Sequence, residues 1–206
     1  MKEQESKMKR IEKQTDTYKE QSGTGHFTGN FTMDLASVKE EIRYNSDVHF
    51  REFNIGCTDV RAALVFVEGL SDKDLIDMHI LKSLMLNFYE EYKGTSFYME
   101  GIISKEFIKN RVLSISGIEE VHSIKELMSK VLLGSTALLI DGLSDVFILN
   151  TRKGKPRNIE EPISEVSVRG PRVGFTEVLC DNTALLRLHG ENDGLSLTKL
   201  QVGKRD

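Results

Sequence analysis

Tryptophan is missing from this chain of 206 residues, and only two cysteines and three prolines occur. Two thiols as far apart as Cys57 and Cys180 do not make the dense disulfide framework of a small secreted domain. Each is expected to be a reduced, buried residue used as a small apolar side chain. No apolar run approaches the ~18 residues that signal a membrane-spanning helix, and the polar N-terminus lacks the apolar centre of a secretory signal. A basic excess is lacking too. Against 32 Asp and Glu stand 28 Lys and Arg, a formal charge of −4, which argues against a nucleic-acid partner because no surplus is left to neutralise phosphates. The five histidines (His26, His49, His79, His122 and His189) show no ligand spacing with cysteine or carboxylate, so no metal is expected. The chain contains no Gly-x-Ser-x-Gly elbow, Walker loop or dinucleotide fingerprint. These absences together point to a protein without a cofactor that is not an enzyme.

What is present is ordinary for a globular protein: 39% hydrophobic and 29% charged residues, enough for one large domain or two small ones. Residues 1–30 interleave Lys, Glu, Gln, Thr and Ser and bury too little to offset ordering entropy, so they read as a disordered polar tail. Its glycines from Gly23 to Gly29 read as linker, because neither a strand nor an apolar helix frames them as a phosphate loop. Leu35, Val38 and Ile42 predict a short helix with Asp34 as its cap. Residues 50–57 alternate as a strand does. Ala62–Val67 is a continuous apolar run of the kind covered on both faces. Ser71 and Asp74 fit a capping box, followed by a long helix with Ile76, Ile80, Leu84 and Phe88 in one row. A second box, Ser123 and Glu126, opens a helix with Ile124, Leu127, Met128, Val131 and Leu132 at core spacing, and Gly134 closes it.

Thr136–Ile140 and Val146–Leu149 read as strands. The tetrad Gly69-Leu70-Ser71-Asp72 returns as Gly142-Leu143-Ser144-Asp145, each time after a buried strand. The fold class predicted is α/β: two small α/β subdomains, residues 31–118 and 119–206, each a short mixed sheet with packed helices. Asp141 and Asp145 can be read as paired carboxylates, but turn chemistry explains both more cheaply.

Candidate chemistry concentrates in residues 160–187. In Arg169-Gly170-Pro171-Arg172, the proline fixes its own φ and pushes Gly170 into extended geometry, so a stiff bend aims two guanidinium groups. A helix is predicted from about Phe175 to Leu188, with Phe175, Val178, Leu179, Leu185 and Leu186 on one face and Asn182 in its middle. A buried amide left unpartnered costs about 1–3 kcal/mol. Asn182 therefore either ties the helix to a neighbouring backbone carbonyl or meets a ligand in a cleft. Arg169 and Arg172 either grip an anion such as an amino-acid carboxylate, or pair internally with Glu161, Glu165 or Glu177. Aromatics are only 7% of the chain, and Phe175 alone lies near this corner, which leans away from a ligand cleft. The basic run Arg152 to Arg157 reads as a solvated hairpin tip, or as a contact with anionic lipid or a partner subunit. A different class, a small α/β hydrolase or transferase, would use Glu177 as a base beside Arg172.

The run Arg169-Gly170-Pro171-Arg172-Val173-Gly174-Phe175-Thr176-Glu177, with Glu161-Pro162 ahead of it and Asn182 and Arg187 behind, resembles the spore germination GerA family. These are the A subunits of bacterial spore germinant receptors. Gly134 to Gly142 is similar to the family's short strand before a turn. The resemblance covers residues 50–203; it departs at Val173, where relatives often carry an acidic residue, and at Leu188 and His189, where they often continue with basic ones. It implies a non-enzymatic part of a nutrient-sensing, signalling membrane protein of sporulation: a soluble N-terminal portion that faces the spore core, ahead of helices in the spore inner membrane. The partners implied are a membrane-embedded B subunit and a lipoprotein C subunit. Within that frame the portion acts in assembly and signal relay, with self-association possible, or binds a nutrient between its subdomains. Glu161, Arg169, Gly170, Pro171, Arg172, Glu177, Asn182 and Arg187 are the ligand or interface candidates.

Overall fold

A computed structural model describes residues 25–93, 104–153, 175–190, 195–200 and 202–203. The polar tail up to residue 24 and the whole of 154–174 lie outside the described residues. Five strands, β1 (Val48–Asn54), β2 (Arg61–Val67), β3 (Ile118–Val121), β4 (Thr136–Ile140) and β5 (Val146–Leu149), form one sheet in the order β1-β2-β4-β5-β3. Every neighbouring pair is antiparallel. The α/β class is as expected, but one antiparallel sheet stands where a short mixed sheet in each half was predicted. The cause lies in β2 and β4, which are buried at nearly every position and need a partner on both edges. They supply each other, with Leu64 opposite Leu138. Residue 118, where the first unit was expected to end, is the first residue of β3.

Both faces of the sheet are covered, which is why its central strands read as unbroken apolar runs even though they are antiparallel. Ala63, Val65, Leu139 and Ile148 pack on one side against α1 (Phe31–Glu41) and the helix Ile124–Val131. Leu64, Leu138, Phe147 and Leu149 face the other side, against Ile76, Ile80, Leu84, Phe88 and Ile108. That second layer is the predicted long helix, but it is not a plain α-helix. Leu75–Leu81 and Ser83–Asn87 are π-helical, followed by the α-helical turn α2 (Phe88–Tyr92). Side chains four apart drift by about 40° per step around an α-helix. The wider π-turns, with their i→i+5 bonds, counter that drift and keep Ile76, Ile80, Leu84 and Phe88 all inside.

Two predicted caps shift by a few residues. Asn30, not Asp34, caps α1 by accepting from the Met33 N–H at 3.2 Å. Asp34 lies one turn in and accepts instead from the Thr28 N–H, the Thr28 hydroxyl and the Gly29 N–H of the loop before it. Asp72 takes the Asp74 and Leu75 N–H groups, while the Ser71 hydroxyl donates to the Gly134 carbonyl. The box at Ser123 and Glu126 forms as predicted, with Glu126 N–H donating to Ser123 Oγ and the Glu126 carboxylate reaching back to the His122 N–H.

A short helix α3 (Lys105–Phe107) and the π-turn Ile108–Val112 are tied to the sheet by charge. Lys105 Nζ lies 2.6 Å from Asp145 and 2.8 Å from Glu120, Lys109 Nζ lies 2.7 Å from Glu120, and His122 Nδ1 lies 2.6 Å from Asp145. The hydrogen bond from Lys105 holds both carboxyls below their ordinary values, 3.8 for Asp145 and 4.5 for Glu120. A carboxylate whose folded pKa is depressed stabilises the fold above its unfolded pKa and loses that contribution as pH falls through the folded value. Stability is therefore expected to drop as pH falls below these ordinary values. In Asp145→Asn the drop should be shallower; a denaturant titration at several acid pH values reads the difference, and identical slopes would dismiss the network as a stabiliser.

Candidate functional site

The last helices, α4 (Ile124–Val131) and α5 (Leu179–Gly190), bring the remaining candidates to the sheet. On α5 the inward residues are Thr183, Ala184, Leu185 and Arg187. Phe175, Val178, Leu179 and Leu186 are exposed, so the apolar face predicted for this helix is corrected: only Leu185 of its five members is buried. Polar anchors turn the helix this way. Asn182 reads the backbone of Thr176 with both ends of its amide, accepting from the Thr176 N–H at 2.7 Å and donating to the Thr176 carbonyl at 2.6 Å. It fastens the loop at 176 to the first turn of α5.

Arg187 is the stronger anchor. Its side chain is 2% exposed and that of Asp47 1%. Arg187 donates from Nε to Asp47 Oδ2 at 2.5 Å and from Nη2 to Asp47 Oδ1 at 2.8 Å, a two-pronged pair. Nη2 also donates to Asn45 Oδ1 at 2.9 Å, and Nη1 to the Leu195 carbonyl at 3.2 Å. Asp47 sits just before β1 and its own carbonyl accepts from the Glu68 N–H after β2. The pair thus pins α5 to the end of the β1–β2 hairpin. The sequence singles out Arg187 but not Asp47 or Asn45. No signal in the sequence names these partners, which lie 140 and 142 positions from Arg187.

Gly69 lets the helix come close. Its φ is +85°, and a Cβ there would stand 2.7 Å from the Cys180 carbonyl oxygen and 3.3 Å from the Ala184 Cβ. Beside this contact lies a cavity of about 320 Å³, lined by His49, Phe66, Glu68, Lys73, Lys153 and Asp181 among others. The rings of His49 and Phe66 stack with centroids 5.9 Å apart. Glu68 accepts from Lys199 at 3.1 Å and lies 3.2 Å from His49 Nε2. The Lys199 hydrogen bond, aided by His49, holds its carboxyl below the ordinary value even though burial works the other way. Cys180 also borders the cavity and is half-buried, whereas Cys57 is exposed in a tight turn rather than buried as predicted; both are free thiols.

Of the other predicted residues, Glu177 is exposed, and Glu161, Arg169, Gly170, Pro171 and Arg172 lie outside the described residues. Asp141 and Asp145, read as possible paired carboxylates, are each held by a cation: Asp141 by Arg61 at 3.0 Å and Asp145 by Lys105. No helix among the described residues is long and apolar enough to cross a membrane.

Comparison with known proteins places this architecture. The family model described as Bacillus/Clostridium GerA spore germination protein matches residues 36–206. Spore germination protein KA of Bacillus subtilis (strain 168) is 31% identical over 175 residues, covering 84% of this chain and 30% of that protein. Spore germination protein GerLA of Bacillus cereus is 28% identical over 177 residues, 86% of this chain and 34% of its own length. The chain thus spans about a third of the length of these relatives. The crystal structure of the N-terminal domain of the A subunit of the Bacillus megaterium spore germinant receptor GerK3 shares the fold, with a TM-score of 0.59, 23% identity, and coverage of 87% of this chain and 62% of that one. With a family model matching from the first layer of helices to the last residue, the chain belongs to the GerA family of spore germination proteins.

Proposed function

We propose that this chain is an assembly and signal-relay module of a spore germinant receptor A subunit, working with B and C subunits at the spore inner membrane and catalysing nothing. The observation that carries this reading is the use made of α5. Its one buried cation commits four of its five N–H donors to Asp47, Asn45 and the Leu195 carbonyl, which fixes the helix on the sheet. Held in that orientation, it presents exposed Leu179 and Leu186, with Phe175 and Val178 just ahead of them. On this reading residues 31–118 and 119–206 act as one body because they share a sheet. The bend Arg169-Gly170-Pro171-Arg172, with Glu161 and Glu177, then serves to set the approach to α5.

The test is co-elution of the chain with purified B and C subunits in detergent. Leu179→Ser with Leu186→Ser should abolish co-elution while leaving the melting curve in place, since both side chains already face water. Co-elution indifferent to the pair would sink the reading.

A second reading, a germinant held between the two halves, is favoured by the cavity beside α5, whose walls come from both: His49 to Lys73 on one side, Lys153, Cys180 and Asp181 on the other.

A further inference from the structure

The basic run that opens at Arg152 reads in the sequence as a solvated tip or a contact with lipid or a partner, and the structure gives its first residues a fixed address. Ser71 and Arg152 form an antiparallel bridge. The Asp72 N–H donates to the Thr151 carbonyl at 2.7 Å and the Lys153 N–H to the Leu70 carbonyl at 2.8 Å. Two loops some 80 residues apart are thereby stitched together. The stitching brings Lys73 and Lys153 to one cavity. Neither lysine has an ion pair or side-chain hydrogen bond among the described residues, whereas Lys39, Lys105, Lys109, Lys130 and Lys199 each sit on a carboxylate. The acidic lining does not cancel them. Glu68 is already engaged by Lys199 and His49. Asp181 stands in the first turn of α5, where the helix dipole favours its charge. The Phe66 ring supplies an apolar wall.

We infer that this cavity binds a small organic oxyanion, a carboxylate or a phosphate. Lys73 and Lys153 hold the anionic group, Phe66 takes the body of the molecule, and Asp181 accepts from a donor on it. The volume of about 320 Å³ suits a molecule of a few to a dozen heavy atoms, larger than inorganic phosphate alone. The inference shares its cavity with the germinant reading and makes a separate claim, that the anionic group is what the site recognises, whatever molecule carries it.

Calorimetric titration of the chain with inorganic phosphate, acetate and lactate tests it, beside vesicles of phosphatidylcholine with and without phosphatidylglycerol and a set of neutral sugars. Saturable binding of at least one of the free anions is expected, weakened roughly tenfold or more in Lys73→Met with Lys153→Met, because two charge-assisted hydrogen bonds are removed. Both side chains are exposed, so the melting curve should stay where it is. Binding only to the phosphatidylglycerol vesicles, lost in the same double variant, assigns the oxyanion to a lipid headgroup and supports the inference. No binding to any anion, or binding unchanged in the double variant, overturns it. Neutral sugars that bind while every anion fails would overturn it and leave the germinant reading standing.

Discussion

Replacing Arg187 with methionine is expected to cost about 3–5 kcal/mol of stability, because it leaves the Asp47 carboxylate buried without its counter-charge. For a chain of this length that lowers the melting temperature by roughly 10 °C. The methylene stem is nearly conserved by methionine, so lost packing contributes little, and the effect isolates the charge. A buried ion pair is not in itself a large stabiliser, since bringing both groups out of water costs nearly what their attraction returns. The double variant Asp47→Leu with Arg187→Met should therefore recover most of the loss. Thermal melting followed by circular dichroism reads all three. A single variant that melts within a degree or two of the parent would show that water reaches the pair, and the picture of α5 pinned by charge would fail.

The second large effect is expected at Gly69, and the chain supplies its own control. Gly69 and Gly142, the heads of the two Gly-Leu-Ser-Asp tetrads, have the same φ of +85°. Alanine at either position meets the left-handed penalty of about 1–2 kcal/mol. Around Gly142 nothing lies within 4 Å, so the penalty should stop there. At Gly69 the new methyl would press on the Cys180 carbonyl at 2.7 Å, a backbone atom that cannot step aside without moving α5. Overpacking of this kind adds about 1–3 kcal/mol, so Gly69→Ala should cost about twice as much as Gly142→Ala or more. Hydrogen exchange would show the excess as lost protection in 179–190. Equal effects of the two substitutions would mean that α5 rides loosely over the turn.

The paired tetrads also show how far sequence carries. Local signals were legible wherever a few consecutive residues decide the outcome. The unbroken runs of β2 and β4, the alternation before β2 and the cap at Ser123 all appear at nearly their predicted places. The tetrads share the φ of their glycines, yet one leads into π-turns and the other into the β4–β5 hairpin. The element after each turn is decided by the partner its strand must find. That dependence is also why two sheets were expected where the described residues form one: pairing of β2 with β4 is a contact between distant segments, and nothing inside either strand names the other.

The face of α5 was misread for a related reason. Apolar count favoured Phe175, Val178, Leu179 and Leu186, but the orientation is set by Asn182 on Thr176 and Arg187 on Asp47, hydrogen bonds whose partners lie outside the helix. The π-turns were hidden because a row spaced by four fits either helix type until the packing is known.

Asp47 precedes Arg187 by 140 positions. During synthesis the carboxylate leaves the ribosome long before the guanidinium that will answer it, and through that interval it must keep its water. The contact between the end of the first hairpin and α5 can therefore form only once the helix has been made. The strands of the sheet can pair as they emerge, while the lock between hairpin and helix waits for translation to reach α5.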